Sequence, residues 1–125
     1  PDFSLYEDWP LTLQLWNVYR SRWCGAFWAS QGFQVIPTVT WAGHDSHEFC
    51  FVGIARHSLV AISTVGVRTE DAPRFEFGFR SMLEVVQPSR VLCYGSLPSK
   101  LADHVEAVYY PTRWAGIQKA RGNGR

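Results

Sequence analysis

The sequence is short of cysteine and of long apolar runs, and these two shortages exclude several classes of protein. Three cysteines, Cys24, Cys50 and Cys93, are odd in number and lack CxxC spacing, which indicates free thiols in a reducing compartment and no disulfide framework. No apolar stretch approaches the roughly 18 residues that span a bilayer, and no signal peptide is visible. The GxGxxG, P-loop, HExxH and GxSxG motifs are absent, so the sequence carries none of those catalytic or nucleotide-binding signatures.

Aromatic residues are abundant instead. The chain of 125 residues has six Trp and an aromatic fraction of 15%, so many large rings must fill a core or line a binding surface. A hydrophobic fraction of 46% and a charged fraction of 18% are typical of one globular domain or part of one. The formal net charge of +1 gives no electrostatic indication of nucleic-acid binding by itself.

Two short runs of β-branched residues organise the chain. VIPTVTW, from Val35 to Trp41, and VAISTVG, from Val60 to Gly66, each pass through hydroxyl residues to an aromatic residue or a glycine. That pattern is typical of a strand buried on both faces that ends in a polar loop. The strands predicted along the chain, counting an extended N-terminal segment, are Pro1–Tyr6, Phe33–Val39, Ser58–Val65, Arg90–Tyr94 and Ala107–Tyr110.

The longest predicted helix covers residues of about 10–31, with Asp8 or a neighbour as its N-terminal cap and Gly32 just past its end. An i, i+4 repeat gives it an apolar stripe with a polar strip beside it. The stripe is Leu11, Leu15, Tyr19, Trp23 and Phe27, widened by Trp16, and the strip is Gln14, Asn17, Ser21 and Cys24. We expect Trp9, Trp16, Trp23 and Trp28 to pack in the core between helix and sheet.

Shorter helices are predicted at Ala72–Val86, with Asp71 as cap, and at Pro98–His104. Short apolar strands that alternate with helices predict an α/β fold with a mostly parallel sheet of about four to five strands and βα repeats. The sheet would be either an open sheet or part of a (βα) barrel. Residues 1–111 would form a single α/β domain, and residues 112–125 would form a basic, flexible tail.

Ligands of parallel α/β folds bind beyond the carboxyl ends of the strands. We therefore expect a pocket rich in hydroxyls and aromatic rings where the predicted strands end. The alternative is that each hydroxyl caps the loop after its strand. The residues at these ends are Asp2, Ser4, Thr38, Thr40, Trp41, Ser63, Thr64, Gly66, Tyr94, Gly95, Ser96 and Tyr110.

The loop GHDSHEFC places His44 and His47 three residues apart, and Asp45 or Glu48 could add an oxygen ligand to a metal. A solvated loop explains the pattern better, and we predict no metal and no other cofactor. A cysteine or a strand-end serine could pair with a histidine as a nucleophile, but Cys93 lies inside a buried strand.

The polar side of the long helix is a second candidate surface. Arg20 and Arg22, with Asn17 and Gln14 beside them, could present donors to an anion or to phosphates. The alternative is an ordinary exposed helix face on which arginine stems cover aromatic surface. Trp41 at a strand end and Trp114 near the tail are candidates for stacking on a base or a sugar.

The motifs DFSLY, PLxLQxWNxYRSRWxG, VIPTVTW, AISTVG and CYG resemble a numbered domain-of-unknown-function family encoded on bacterial prophages, plasmids and conjugative elements. The resemblance covers the chain up to about Tyr110. It implies a cytoplasmic protein of a mobile element, longer members with a segment ahead of DFSLY, and no established reaction. The motif positions are Asp2, Tyr6, Gln14, Asn17, Arg20, Arg22, Thr38, Trp41, Thr64, Gly66, Tyr94 and Gly95.

Three functions are compatible with these patterns. The first is a phage or mobile-element accessory protein that binds a ligand or nucleic acid at the carboxyl edge of the sheet, with Asp2, Arg20, Trp41 and Thr64 lining the site. The second is a hydrolytic enzyme with Asp2 as base or metal ligand and Arg20 as anion clamp. The third is a phage protein that inhibits a host protein through exposed aromatic residues. The expected partners are thus nucleic acid or a host protein, and no membrane.

Overall fold

A computed structural model describes residues 2–113, which form a parallel sheet packed against helices. The predicted α/β class is confirmed. The order of the elements is α1 Leu11–Ser30, a 3₁₀ turn His44–Glu48, β1 Leu59–Ser63, a 3₁₀ turn Thr69–Asp71, α2 Ala72–Val86, β2 Arg90–Tyr94, α3 Ser99–Ala102 and β3 Ala107–Tyr110. Residues 114–125, which hold Trp114 and most of the predicted basic tail, lie outside the described residues.

The sheet has three strands in the order β1-β2-β3, and all of them are parallel. This is fewer than the four to five strands predicted, because the segment that contains VIPTVTW joins β1 through one bridge alone, Thr38 to Ala61. The Ala61 amide donates to the Pro37 carbonyl at 2.9 Å, and the Val39 amide donates to the Ala61 carbonyl at 2.8 Å. The next bond of a parallel ladder would need an N–H at residue 37, which proline lacks.

The two faces of the sheet differ sharply in burial. On the face toward α2, the side chains of Val60, Ile62, Val91 and Cys93 are at most 2% exposed and belong to one core cluster with the apolar side of α2. Side chains alternate across a strand, so the intervening residues point to the opposite face. None of the residues on that opposite face is buried: Thr38, Leu59, Ala61, Ser63, Arg90, Leu92, Tyr94, Val108 and Tyr110. We call these nine residues the second face.

Helix α1 is oriented opposite to the prediction from its stripe. Its buried side chains are Gln14, Asn17 and Ser21. The Asn17 side-chain amide donates to the Ser4 carbonyl at 2.7 Å, and the Gln14 amide donates to the Trp9 carbonyl at 3.0 Å. These bonds satisfy carbonyls of an N-terminal segment that belongs to none of the named strands, which is why polar residues lie inward.

The apolar stripe of α1 consequently faces outward. The expectation that Trp9, Trp16, Trp23 and Trp28 pack in the core is wrong, since each of these side chains is exposed. We call the exposed residues Leu11, Leu15, Trp16, Tyr19, Trp23 and Phe27 the aromatic stripe. Two stacked ring pairs lie along it, Trp16 with Tyr19 and Trp23 with Phe27, each with centroids 5.5 Å apart.

The residues at the ends of the helices agree in part with the caps predicted from the sequence. Gly32 takes a positive φ of 88° just past α1, as a C-terminal glycine does. Pro10, and not Asp8, occupies the N-cap of α1, and no side chain caps that end. Asp71 holds the N-cap position of α2 without a side-chain hydrogen bond. No helix in residues 2–113 combines the length and the apolar character needed to cross a membrane.

The orientation of α1 generates a stability prediction. Replacing Asn17 by alanine removes the bond to the Ser4 carbonyl and should lower the free energy of unfolding by about 1–3 kcal/mol. Replacing Leu15 by glutamine, on the exposed side of the same helix, should change it by no more than about 0.5 kcal/mol. Urea denaturation of the two variants measures both values. If L15Q lost several kcal/mol of unfolding free energy while N17A lost none, the side of the helix that holds Leu15 would be the one facing inward.

Candidate functional site

A concavity of about 790 Å³ opens at the carboxyl ends of the strands, as expected for a parallel sheet. Its lining comes from the N-terminal segment, the end of the VIPTVTW segment, the end of β1 and the start of α2. The lining residues that carry its chemistry are Asp2, Ser4, Tyr6, Glu7, Thr38, Thr40, Trp41, Ser63, Gly66, Asp71, Arg74 and Tyr94. With Tyr94 at the end of β2, five separate parts of the chain therefore meet at one edge of the sheet.

The polar groups in this lining are mostly hydroxyls and carboxylates. The hydroxyls belong to Ser, Thr and Tyr residues, each of which can both donate and accept a hydrogen bond. Asp2, Glu7 and Asp71 supply three carboxylates, and Arg74 supplies the one guanidinium of the lining. That guanidinium already pairs with the Glu7 carboxylate at 2.6 Å. Within residues 2–113, the carboxylates of the lining thus outnumber its cations.

Sequence reasoning named eleven candidate site residues, and the structure brings six of them to the concavity. These six are Asp2, Tyr6, Thr38, Trp41, Gly66 and Tyr94. The other five, Gln14, Asn17, Arg20, Thr64 and Gly95, do not line it. Three charged lining residues were not predicted as site residues: Glu7, Asp71 and Arg74. Asp71 and Arg74 flank the start of α2, where the loop after a strand enters a helix, and that position was the signal available in the sequence.

The helix residues expected to bind an anion are engaged within the fold. Gln14 and Asn17 donate to backbone carbonyls. The Arg20 guanidinium lies 4.2 Å from the centroid of the Phe3 ring, a cation–π contact. Arg22 donates to the carbonyls of Val52 at 2.8 Å and Cys50 at 2.7 Å, and burial lowers its pKa. Asp2 and Arg20 therefore do not meet in the concavity as an acid–base and anion-clamp pair.

Thr64 and Gly95 join the ends of β1 and β2 beside the concavity. The Ser96 amide donates to the Thr64 hydroxyl oxygen at 3.1 Å, and the Thr64 amide donates to the Tyr94 carbonyl at 3.0 Å. Gly95 has a φ of 110°, and a Cβ there would lie 2.1 Å from the Thr64 hydroxyl oxygen. Only glycine suits this position, and the pair holds the strand ends in register.

Trp41 is half-buried and packs across the start of α2. Its ring centroid lies 5.3 Å from that of Phe75. A Cβ on Gly78 would come within 2.1 Å of the Trp41 indole nitrogen, so the missing side chain of Gly78 makes room for the indole. Trp41 lines the concavity at the same time. Because the indole is half-buried, it suits apolar contact at the bottom of the concavity better than stacking from a freely exposed position.

The histidine loop forms an aromatic cluster. The rings of His44 and His47 both stack on Phe77, with centroids 5.2 Å away in each case. Burial and the neighbouring His44 lower the pKa of His47, which favours the neutral imidazole. Ser46 is buried and accepts the Ala42 amide at 2.9 Å, which fixes the turn. Across residues 2–113, no three His, Cys, Asp or Glu side chains are grouped so that they could hold a metal ion.

The buried cysteines are unsuited to nucleophilic chemistry. Burial raises the pKa of the Cys50 thiol to about 12, although a hydrogen bond with Ser46 and the charge of Arg22 act in the opposite direction. Burial also raises the pKa of Cys93. A thiol with so high a pKa is protonated and unreactive at neutral pH.

Cys24 is half-buried, whereas Cys50 and Cys93 are buried, and this difference predicts which thiols a reagent can modify. In the folded protein at about pH 8, a Cys50 thiol with a pKa of about 12 holds roughly one thiolate in ten thousand. Iodoacetamide should therefore modify the half-buried Cys24 first and leave Cys50 unmodified, as mass spectrometry of peptides would show. In denaturant, all three cysteines should react. Equal rates of modification of Cys24 and Cys50 in the folded protein would show that burial does not protect the Cys50 thiol.

Comparison with known proteins gives relatives from bacteriophages. The chain is 49% identical over 117 residues to the Gene 1 protein of Mycobacterium phage L5, an alignment that covers 91% of this chain and 51% of the phage protein. It is 46% identical over 119 residues to the Gene 1 protein of Mycobacterium phage D29, covering 91% of this chain and 43% of that protein. The chain thus spans about half the length of these curated relatives.

No solved structure matches the chain. The family match covers residues 1–111, which include every lining residue of the concavity and all three strands. The family resemblance inferred from the motifs is confirmed at this level, together with relatives in phages. The chain belongs to the family described as Domain of unknown function (DUF4417).

Proposed function

We propose that this protein is a phage or mobile-element accessory protein of the bacterial cytoplasm that binds a small, uncharged, hydroxyl-rich ring compound, such as a nucleoside or a sugar, in the concavity. The observation that carries the proposal is the lining itself, in which hydroxyls and aromatic rings surround three carboxylates and one paired guanidinium. Hydroxyls that donate and accept match the hydroxyls of such a ligand, and the rings of Tyr6, Trp41 and Tyr94 supply apolar contact.

The charge of the concavity argues against a polyanion. Binding of nucleic acid depends mainly on cations that neutralise phosphates. Arg74 pairs with Glu7, Arg22 donates to backbone carbonyls, and Arg20 stacks on Phe3. A phosphate group in the concavity would instead approach Asp2 and Asp71. The ligand-binding form of the original hypothesis therefore has more support than its nucleic-acid form.

The hydrolytic alternative depends on Asp2. Its carboxylate lines the concavity and could serve as a base. Arg20, the predicted anion clamp, contacts the Phe3 ring and does not line the concavity. Binding without a defined reaction is therefore the function that the geometry supports best.

The experiment compares uncharged ligands with anionic ones, and adenosine with AMP is the closest matched pair. Heat of binding is measured by calorimetry for adenosine and for glucose, and then for AMP and a single-stranded oligonucleotide. We expect the uncharged compounds to bind more tightly than their anionic counterparts, by tenfold or more between adenosine and AMP, because a phosphate meets unbalanced carboxylates. Because salt screens charge repulsion, the difference between adenosine and AMP should shrink as the ionic strength rises, while the affinity for adenosine should stay nearly constant.

Matched variants locate the binding. Thr38→Val removes a lining hydroxyl without changing the shape of the side chain and should weaken adenosine or glucose binding by roughly fivefold to tenfold. Thr12→Val makes the same change on the exposed surface of α1 and should have no effect. If neither uncharged compound binds, the proposal fails. If the oligonucleotide binds with a steep salt dependence, the proposal also fails and the nucleic-acid hypothesis takes its place.

A second candidate function is docking of a helix from a host protein on the aromatic stripe. Leu11, Leu15, Tyr19, Trp23 and Phe27 form an exposed i, i+4 ridge, and such ridges pack into the grooves of other helices. Exposed rings of this size are also typical anchors of protein interfaces. The relatives in phages provide the setting in which a host protein would be the partner.

A photo-crosslinking residue at position 23 tests this candidate in cells of the host. We expect one host protein to be crosslinked through a helical peptide, while the same crosslinker at the exposed Val85 of α2 captures none. Crosslinks to a second copy of this chain, or no crosslink at position 23, would remove the candidate.

A further inference from the structure

The second face of the sheet holds no buried residue in the described part of the chain. Thr38, Ala61, Leu92 and Val108 are direct neighbours in register and make one row across it. None of these four side chains is buried, and Val108 is 37% exposed. Their sequence neighbours in β1 and β2 are almost fully buried against α2: Val60, Ile62, Val91 and Cys93. In β1 and β2, the side chains on the α2 side are therefore better covered than those on the second face, whereas in β3 Tyr109 on the α2 side is 44% exposed.

An uncovered face is unusual for a sheet whose strands are all parallel. Parallel sheets occur almost only with both faces covered. A helix that connects two parallel neighbours crosses over with right-handed geometry, so helices that connect strands in the consecutive order β1-β2-β3 all lie on the same side. More connections of this kind would add helices to the side that α2 already covers. Closure of the sheet into a barrel is the arrangement that covers the other side.

The two edges of the sheet fit such a closure. On the β1 side, Thr38 bridges to Ala61, so residues 36–41 lie alongside β1, and the Thr40 hydroxyl donates to the Phe3 carbonyl at 3.5 Å, which places residues 2–6 next to that segment. On the other side, β3 pairs with β2 alone among the described residues, and Val108 and Tyr110 are exposed there. A free parallel edge of this kind can accept another strand.

We propose that the second face is the inner surface of a closed eight-stranded parallel barrel, and that three further βα units of polypeptide form the rest of its circumference. In such a barrel, residues 2–6 and 36–41 would become the two strands ahead of β1, which gives five strands together with β1, β2 and β3. The proposal depends on sheet topology and not on any ligand, so it and the ligand-binding proposal can fail separately.

The lengths of the relatives agree with three further units. Since 117 aligned residues make 51% of the phage L5 protein, that protein is about 230 residues long and has about 110 residues outside the alignment. One βα unit with its connections needs roughly 30 residues or more. A complete barrel typically takes about 250 residues. Polypeptide of the length found in that relative therefore suffices for the remaining strands.

The barrel also gives the concavity its missing side. Thr38, Ser63 and Tyr94 belong both to the second face and to the lining of the concavity. In a barrel these residues would lie inside its carboxyl end, where the sites of such folds are found. The open concavity would become an enclosed site with further residues from the added units.

A matched pair of charge substitutions tests the proposal in the full-length product of the protein's own gene. Val108 lies on the second face, and Val85 lies on the outer side of α2; both are exposed in the described part of the chain. We expect Val108→Glu to lower the melting temperature by roughly 6 °C or more, because it buries an unpaired carboxylate inside the barrel. We expect Val85→Glu to shift it by no more than roughly 2 °C.

Thiol labelling supplies a second measurement should Val108→Glu fail to fold. In the same full-length product, the thiol of Val108→Cys should react with maleimide at least tenfold more slowly than that of Val85→Cys. Equal melting temperatures of the two glutamate variants, or equal labelling rates of the two cysteine variants, would overturn the proposal. Sedimentation equilibrium completes the test: a symmetric dimer in which a second copy covers Val108 would overturn it as well.

Discussion

A parallel sheet must have both of its faces covered, and this constraint governs the protein. Helix α2 covers one face with a continuous apolar cluster in which Phe79 and Met82 are fully buried against β1 and β2. The other face carries aliphatic, hydroxyl and aromatic side chains together with Arg90, and none of these residues is buried. Such a surface suits the inside of a closed sheet, where side chains at the carboxyl end contact a ligand.

The polar residues of α1 illustrate how the fold uses groups that resemble a binding site. The N-terminal segment is extended but takes part in no named strand, so Asn17 completes the hydrogen bonding of its Ser4 carbonyl. Arg22 performs the same task for the carbonyls of residues 50 and 52. These residues are part of the stability of the fold, and their side chains are not free to hold an anion. The concavity then depends on hydroxyls and carboxylates from other parts of the chain.

The sequence was enough to predict β2 and β3 with their boundaries, the long helix and the edge where residues converge, because these follow from local composition and chain order. It was not enough to predict which side of α1 faces inward. Periodicity defines an apolar stripe, but the choice of side depended on a carbonyl of Ser4, thirteen positions away, that needed a donor. Arg74 and Glu7 went unnamed for a similar reason, since their pairing joins α2 to the N-terminal segment and has no local pattern.

The central claim is that the second face is enclosed, and the methyl groups of Leu92 report on it most directly. Methyl NMR of the full-length gene product with a soluble gadolinium chelate measures how closely solvent approaches each methyl group. Leu101 provides a fully buried reference, and Leu13 provides an exposed one. If the second face is enclosed, the Leu92 signals should broaden as little as those of Leu101. Broadening equal to that of Leu13 would show that the face is open to water and would contradict it.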